Sequence, residues 1–131
     1  MVLCADPERA SREPGSVATV LVELGARVTL GRFDLGGLDL DELGARPPTA
    51  VVVEAGDDLV RAQKAVRKLR DSGPLVEVPI LLVVSLARLP GLDFSIGFSD
   101  FALTPLVPAE IYARLRQLDW KSATFGSDEV I

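Results

Sequence analysis

The chain of 131 residues contains no histidine, and Cys4 is its single cysteine. Histidine is the most frequent general base in enzymes and activates most serine and cysteine nucleophiles, so its absence argues against the usual hydrolase mechanisms. Without histidine, and with one thiol, the chain also lacks the ligands of an ordinary zinc site. A lone cysteine in an apolar run is typical of a core residue in a reducing compartment, so we expect a cytoplasmic protein.

Three other features that the sequence lacks argue against further classes of function. No apolar run approaches the roughly 20 residues needed to cross a bilayer, and the first residues, MVLCADPER, lack the pattern of a signal peptide. The net charge of −5 disfavours binding of a polyanion by this segment. The glycines form neither a GxGxxG motif nor a phosphate-binding loop. We therefore expect no membrane, no direct contact with nucleic acid and no cofactor.

What the chain does contain is a regular alternation of strand-like and helix-like segments. Strands are predicted at residues 1–5, 26–30, 49–55, 78–85 and 100–105. Helices are predicted at 12–25, around Leu40 to Leu43, at 57–72, weakly between Leu86 and Ile96 where Pro90 and Gly91 interrupt, and at 108–121. This alternation predicts a parallel sheet covered on both faces, with the working crevice beyond the carboxyl ends of the strands.

Polar side chains stand at those strand ends. Three valines of the run TAVVVEAGDD lead directly into Glu54, and Asp57 and Asp58 follow. The two aspartates are explained as acids in the first turn of the next helix, where they favour the positive end of its dipole. The basic residues of that helix are expected to be its solvated side; they are Arg61, Lys64, Arg67, Lys68 and Arg70.

Two fragments resemble receiver domains of two-component response regulators. GFSDFALTP (97–105) is similar to that family's Gly-Ala-Asp-Asp-Tyr-x-x-Lys-Pro stretch, and PAEIYARLRQL (108–118) is similar to its last helix. With the order of elements, the resemblance extends over residues 2–121 and is to an atypical (pseudo-)receiver domain of the OmpR/PhoB type. It implies a flavodoxin-like (CheY-like), doubly wound α/β fold. The five-stranded parallel sheet would have the order 2-1-3-4-5, with about five helices.

The same resemblance places the family's phosphorylation site on residues that lack its chemistry. In receiver domains an acidic pair binds Mg²⁺, an aspartate accepts the phosphoryl group, and a Ser or Thr and a Lys grip it. Here the acidic pair falls on Ala5 and Asp6. The acceptor falls on Glu54 and the lysine on Thr104, while Ser85 retains its hydroxyl. We expect a degenerate phosphorylation pocket (Asp6, Glu54, Ser85 and Thr104) with no catalytic residue and no metal.

Three more positions take their interpretation from the resemblance. Phe101 matches the aromatic residue that moves on activation, and the peptide bond between Thr104 and Pro105 is cis in the family. Glu54 has two interpretations. Its carboxylate reaches about 1.5 Å further than that of an aspartate and so mimics a phosphoryl charge, or it is a relic without a role. Arg88 is a candidate to replace the missing lysine, with an ordinary surface arginine as the alternative.

These residues predict a regulatory, phosphorylation-independent receiver domain of a DNA-binding transcriptional response regulator, and not an enzyme. Residues 1–121 would form the receiver-like domain, and residues 122–131 a linker or the truncated start of a C-terminal DNA-binding domain. DNA would then be bound only beyond Ile131. The alternative is a stand-alone pseudo-receiver that acts as an adaptor between proteins, and a flavodoxin-like enzyme or small-ligand binder is a third possibility.

The expected partner is a second copy of the chain. OmpR/PhoB-type receivers form two-fold symmetric dimers through the fourth helix, fifth strand and fifth helix. Asp100 and Arg114 fall on the positions of a salt bridge between the two chains, and Arg88 is the expected partner of Glu110. The apolar contact is expected from Phe101, Leu106, Ile111, Tyr112 and Leu115. The alternative is that these charges lie on the surface of a monomer.

Overall fold

A computed structural model describes residues 1–5, 16–56, 58–71 and 73–128, with side chains as far as Trp120 except at position 74. Five parallel strands form one sheet in the order β2-β1-β3-β4-β5. Their bounds are Val2–Cys4 (β1), Thr29–Gly31 (β2), Val51–Gly56 (β3), Ile80–Ser85 (β4) and Asp100–Thr104 (β5). The strand order and parallel pairing confirm the predicted CheY-like fold.

Within the described ranges, each strand is followed by one or two helical segments. The α-helices are Val17–Glu23 (α1), Leu40–Ala45 (α2), Leu59–Asp71 (α3) and Pro108–Asp128 (α4). Short 3-10 helices span Gly73–Leu75, directly after α3, and Leu86–Gly91, after β4. None of the described helices is long and apolar enough to cross a membrane.

The sheet is buried between two apolar layers. Alternate residues of β3 point to opposite faces, so Val53 packs beneath α3 while Val52 packs beneath α1 and α4. All residues of β1, and those of β4 from Ile80 to Val84, are buried and apolar, as is typical of parallel strands covered on both faces. Cys4 is a core residue, as expected, and burial raises the pKa of its thiol to about 12.

The segment between β4 and β5 differs from the expected fourth helix. The 3-10 helix Leu86–Gly91 contains Pro90, and residues 92–99 follow as a loop rather than as further helical turns. Proline has no backbone N–H and its ring obstructs the preceding turn, so an α-helix cannot continue through it without loss. The last helix, which the resemblance numbers fifth, is therefore α4 here. It runs to Asp128, beyond the predicted end at Lys121.

Four of the five basic residues of α3 are exposed, as the sequence predicted, and the partly buried Arg70 is the exception. Arg70 donates from Nε to the carbonyl of Gly97 at 2.7 Å and from Nη1 to the carbonyls of Val76 and Val78 at 2.9 and 2.7 Å. Its Nη2 donates to Ser99 Oγ at 3.3 Å. Partial burial lowers the pKa of this guanidinium. Arg70 thus joins α3 to the segments that precede β4 and β5.

Two other side chains of α3 hold the same loop. The backbone N–H of Asp93 donates to Gln63 Oε1 at 2.7 Å, and Arg67 pairs with the Asp93 carboxylate at 3.1 Å. Hydrogen bonds from the Ser95 side chain and backbone lower the pKa of Asp93, and Arg67 adds to this effect. The loop at 92–99 is therefore attached to α3 at both ends.

We predict that Arg70→Met lowers the free energy of unfolding by about 2 kcal/mol. A hydrogen bond to a charged donor contributes roughly 1.5–3 kcal/mol, and the partly buried carbonyl of Val78 would lose this donor. Urea unfolding followed by circular dichroism measures the change. The matched control is Lys64→Met, an exposed position on the same helix, which we expect to change stability by less than about 0.5 kcal/mol. Equal losses in the two variants would contradict the role of Arg70.

Candidate functional site

Glu54 lies at the carboxyl edge of the sheet, where the resemblance puts the phosphate acceptor. It pairs in register with Val83, and the register of β3 against β4 shifts between Glu54 and Gly56, so Ala55 forms a bulge. The Glu54 side chain is half-buried, and its Oε2 accepts the backbone N–H of Val17 at 3.3 Å. Val17 is the first residue of α1, so this carboxylate supports the amino end of that helix.

Ser85 and Thr104 complete the described part of the crevice. They are direct partners in the register of β4 and β5, and both are half-buried at the carboxyl ends of these strands. The peptide bond from Thr104 to Pro105 is cis, as the resemblance implied. The structure therefore brings Glu54, Ser85 and Thr104 to one edge of the sheet. Asp6, the fourth residue of the expected pocket, lies outside the described residues.

The described part of this crevice lacks two of the groups that bind a phosphoryl group and Mg²⁺ in the family that the chain resembles. Ala5, at one position of the family's acidic pair, is buried and offers no oxygen ligand from its side chain. Thr104 offers a neutral hydroxyl where the family has the lysine cation. Among the residues that the structure describes, no three His, Cys, Asp or Glu side chains are close enough to hold a metal ion. The crevice can donate and accept hydrogen bonds, but Thr104 cannot neutralise added negative charge.

Of the two aspartates that follow Glu54, Asp58 lies within the described residues. Asp58 Oδ1 accepts the backbone N–H of Arg61 at 3.3 Å, so Asp58 caps α3 from the position directly before the helix, and not from within its first turn as the sequence predicted. Asp57 lies outside the described residues. Arg88 is exposed in the 3-10 helix that follows Ser85.

A concave space lies at the other edge of the sheet. A groove of about 190 Å³ is lined by residues that include Met1, Leu24, Ala50, Tyr112 and Arg116. Met1 and Ala50 directly precede β1 and β3, so this groove lies at the amino ends of the strands. It is therefore separate from the crevice that contains Glu54.

A second polar cluster lies where β5 meets α4. Arg114 Nη1 donates to both carboxylate oxygens of Asp100, at 3.2 and 3.0 Å, and Arg114 Nε donates to Glu110 Oε1 at 3.0 Å. These contacts lie within one chain. The hydrogen bond with Glu110, and then that with Asp100, raise the pKa of Arg114. The Arg114 and Asp100 side chains are 36% and 28% exposed, so a partner can still reach this cluster.

The apolar residues expected at the dimer interface divide into different environments. Ile111 and Leu115 are 2% and 7% exposed and pack beneath α4, so they cannot contact a partner, and that expectation was wrong. Tyr112 is half-exposed, but it lines the groove near Met1. At 3.6 residues per turn it lies about 160° around the helix from Arg114. Leu106 packs partly against the core under α4, whereas Phe101 packs on the opposite face of the sheet.

Sequence reasoning missed two residues beside Phe101. The rings of Phe94 and Phe98 lie 6.0 and 6.3 Å from the ring of Phe101, in edge-to-face orientation, and 5.9 Å from each other. Phe94 is 65% exposed. The available signal was composition, because three of the five phenylalanines in the chain fall within residues 94–101.

Solved structures similar to this chain include receiver domains of signalling proteins. The receiver domain of NtrX from Brucella abortus has 16% identity and a TM-score of 0.66, over 90% of this chain and 97% of that one. The receiver domain of sensor histidine kinase PA1611 from Pseudomonas aeruginosa PAO1, solved with a magnesium ion in its active-site cleft, has 19% identity and a TM-score of 0.68, over 90% and 95%. A response regulator receiver modulated diguanylate cyclase from Pelobacter carbinolicus has 20% identity and a TM-score of 0.63, over 97% of both chains. At these identities the likeness shows the fold.

Sequence comparison shows the family. Among curated proteins, no sequence matches this chain significantly. A family model described as the N-terminal domain of the transcription regulator GlnR matches residues 10–118, which is most of the chain and includes both the crevice at Glu54 and the cluster at Arg114. The chain therefore belongs to the family of GlnR N-terminal domains, with the fold of a response regulator receiver domain.

Proposed function

We propose that this chain is the phosphorylation-independent receiver domain of a DNA-binding transcriptional regulator of the OmpR/PhoB type. It catalyses no reaction and acts in the cytoplasm by forming a homodimer, and DNA is bound by a domain beyond Ile131. The family match to the N-terminal domain of a transcription regulator and the receiver fold support this assignment.

The observation that carries the proposal is the composition of the crevice. A receiver needs a nucleophilic carboxylate, metal ligands and a cation that holds the phosphoryl group. In this chain the carboxylate of Glu54 is turned towards the amino end of α1, and Ala5 and Thr104 replace a metal ligand and the cation. Regulation therefore depends on a surface that the unmodified domain already presents, and not on a covalent modification of this pocket.

We predict that acetyl phosphate with Mg²⁺ does not modify this protein. Incubation followed by intact-mass measurement should show an unchanged mass, while a receiver domain with an intact phosphorylation site gains one phosphoryl group in the same reaction. A labile adduct mapped to Glu54, Asp57 or Asp58 would contradict phosphorylation independence.

Glu54 acts as a structural acceptor in this proposal, and not as a phosphoryl mimic. Its hydrogen bond from Val17 stabilises the first turn of α1, which begins directly after Ser16. A side-chain acceptor at a helix start contributes about 1 kcal/mol, and a negative charge there adds a few tenths to about 1 kcal/mol.

We predict that Glu54→Ala lowers the free energy of unfolding by about 1 kcal/mol, because the N–H of Val17 loses its acceptor. Glu54→Gln keeps an acceptor oxygen and should lose less. Neither change should alter the dimerisation constant measured by sedimentation. Weaker dimerisation of Glu54→Gln at unchanged stability would instead support the phosphoryl mimic.

The dimer proposal is supported by the charges on either side of β5. β5 is the outermost of the described strands, so one of its edges has no partner strand in the part of the chain that the structure describes. The cluster beside it has both signs of charge, with Arg114 between Asp100 and Glu110. A surface with both signs can face its own copy across a two-fold axis, because each contact then occurs twice. Arg114 can pair within its chain, with Asp100 of the partner, or with both.

A mixture of two charge variants distinguishes pairing within one chain from pairing between two chains. Asp100→Arg alone and Arg114→Asp alone each place like charges in both contacts of their own homodimer, so each should be mainly monomeric. In an equimolar mixture, the new arginine of one chain faces the new aspartate of the other, and the native pair forms at the second contact. We predict that the mixture regains dimers in analytical ultracentrifugation, even though each chain keeps its unfavourable internal pair.

Exposed ion pairs contribute only about 0.2–1 kcal/mol each, so the expected restoration is partial. Thermal unfolding of each variant should confirm that the monomers are folded. A mixture that stays monomeric, while the double variant in one chain regains the dimer, would show that the pairing acts only within the chain. A wild-type protein that is monomeric at high micromolar concentration would contradict the dimer itself.

A further inference from the structure

We propose that Phe94 is the apolar anchor of the homodimer, on a fixed loop that replaces the fourth helix. This inference rests on the proposed function, since the partner is a second copy of the same chain. It assigns the central contact of the interface to a residue that the sequence resemblance did not select.

The exposure of Phe94 contrasts with that of its neighbours in the loop. Leu92 and Ile96, two positions before and after it, are 7% and 6% exposed and belong to the core beneath α3. Phe94 lies between them with 65% of its surface exposed. Two buried neighbours fix the course of the backbone, and the phenyl ring between them stays outside the core.

The loop is held in this form by polar contacts as well. Gln63 and Arg67 of α3 bind Asp93, the residue directly before Phe94, at 2.7 and 3.1 Å. Arg70 binds the carbonyl of Gly97 at 2.7 Å. A side chain on a segment that is already ordered loses little conformational entropy on binding, so more of its burial appears as affinity.

The ring of Phe94 also packs against two other phenylalanine rings. Phe98 and Phe101 contact it at 5.9 and 6.0 Å, the second in edge-to-face orientation. Both supporting rings are half-buried against the core. This trio, Phe94, Phe98 and Phe101, therefore forms one apolar surface whose outermost member is Phe94. It also fixes Phe101, the residue at the position that moves on activation in receiver domains.

The position of the trio argues for a second copy of this chain as its occupant. Phe101 and Asp100 are consecutive in β5, so the trio and the cluster of Arg114 lie on the two faces of the sheet at the same exposed edge strand. An apolar centre beside charged groups is the usual arrangement of a protein interface, and aromatic residues dominate its binding energy. The mixed charges of the cluster complement an identical surface, so one two-fold contact can cover both.

The test compares Phe94→Ser with Val22→Ser by sedimentation equilibrium. Val22 is 62% exposed on α1, which packs on the other face of the sheet from α3 and its loop, so its replacement removes a similarly exposed apolar side chain elsewhere. We expect the dissociation constant to rise at least about thirty-fold in Phe94→Ser, as for a central interface residue, and to change by less than about threefold in Val22→Ser. Phe94→Leu should lie between wild type and Phe94→Ser, because it keeps apolar area without the aromatic contacts.

Hydrogen–deuterium exchange of the wild-type chain gives a readout without any substitution. We expect peptides from residues 92–101 to exchange more slowly above the dissociation constant than below it. If the wild type dimerises but Phe94→Ser binds equally well, or if these peptides exchange at a rate independent of concentration, the anchor is wrong while the dimer stands. A wild type that is monomeric overturns both proposals.

Discussion

Among the contacts that hold the segment between β4 and β5, the guanidinium group of Arg70 makes the most hydrogen bonds. Arg70 lies at the end of α3, and its hydrogen bonds reach backbone carbonyls on both sides of β4 together with the side chain of Ser99. Ser99 Oγ in turn accepts the backbone N–H of Ile80, the first residue of β4. One charged side chain thus connects the starts of two strands with the loop between them. Because α3 is itself fixed by a buried apolar face, this connection extends the rigidity of the core to the surface.

This attachment changes how the receiver fold can be used. In the family that the chain resembles, the aromatic residue of the fifth strand moves on activation. Here the segment after β4 is a 3-10 helix and a loop bound to α3, and Phe101 packs edge to face against Phe94 and Phe98. Both features support the proposed independence from phosphorylation, since a surface that is held in one form needs no phosphoryl group to select it.

The sequence predicted the fold because its strongest signals are local. The buried runs of β3 and β4 and the apolar face of α3 repeat with the periods of a strand and of a helix, so each element could be located before its neighbours were known. The contacts of Arg70 could not be predicted in this way. Its partners lie in loops whose course depends on tertiary structure, and an arginine on a helix with an apolar face is indistinguishable from a solvated one by spacing alone.

The interface residues show a similar limit. Matching Ile111, Tyr112 and Leu115 to a family helix located the correct helix but not the side that each residue occupies. Ile111 and Leu115 are buried in the core of the domain and so do not belong to the expected interface. Tyr112 lies on a different side of the helix from Arg114 and lines the groove near Met1. The trio was missed because the aromatic residues follow neither a strand nor a helix period, and only the loop brings their rings together.

Because the thiol of Cys4 is buried, the folded and unfolded forms of this domain differ in their sensitivity to oxidants. With a pKa of about 12 and no exposed surface, the native thiol is almost entirely protonated at neutral pH and out of reach of reagents. In an unfolded chain the same group returns to an ordinary pKa near 8.5 and becomes nucleophilic. Oxidation therefore acts on the unfolded fraction alone and prevents it from refolding, because an oxidised side chain does not fit in the apolar layer between the sheet and α3. The lifetime of the domain under oxidising conditions is then set by how often it opens, and not by the intrinsic reactivity of its cysteine.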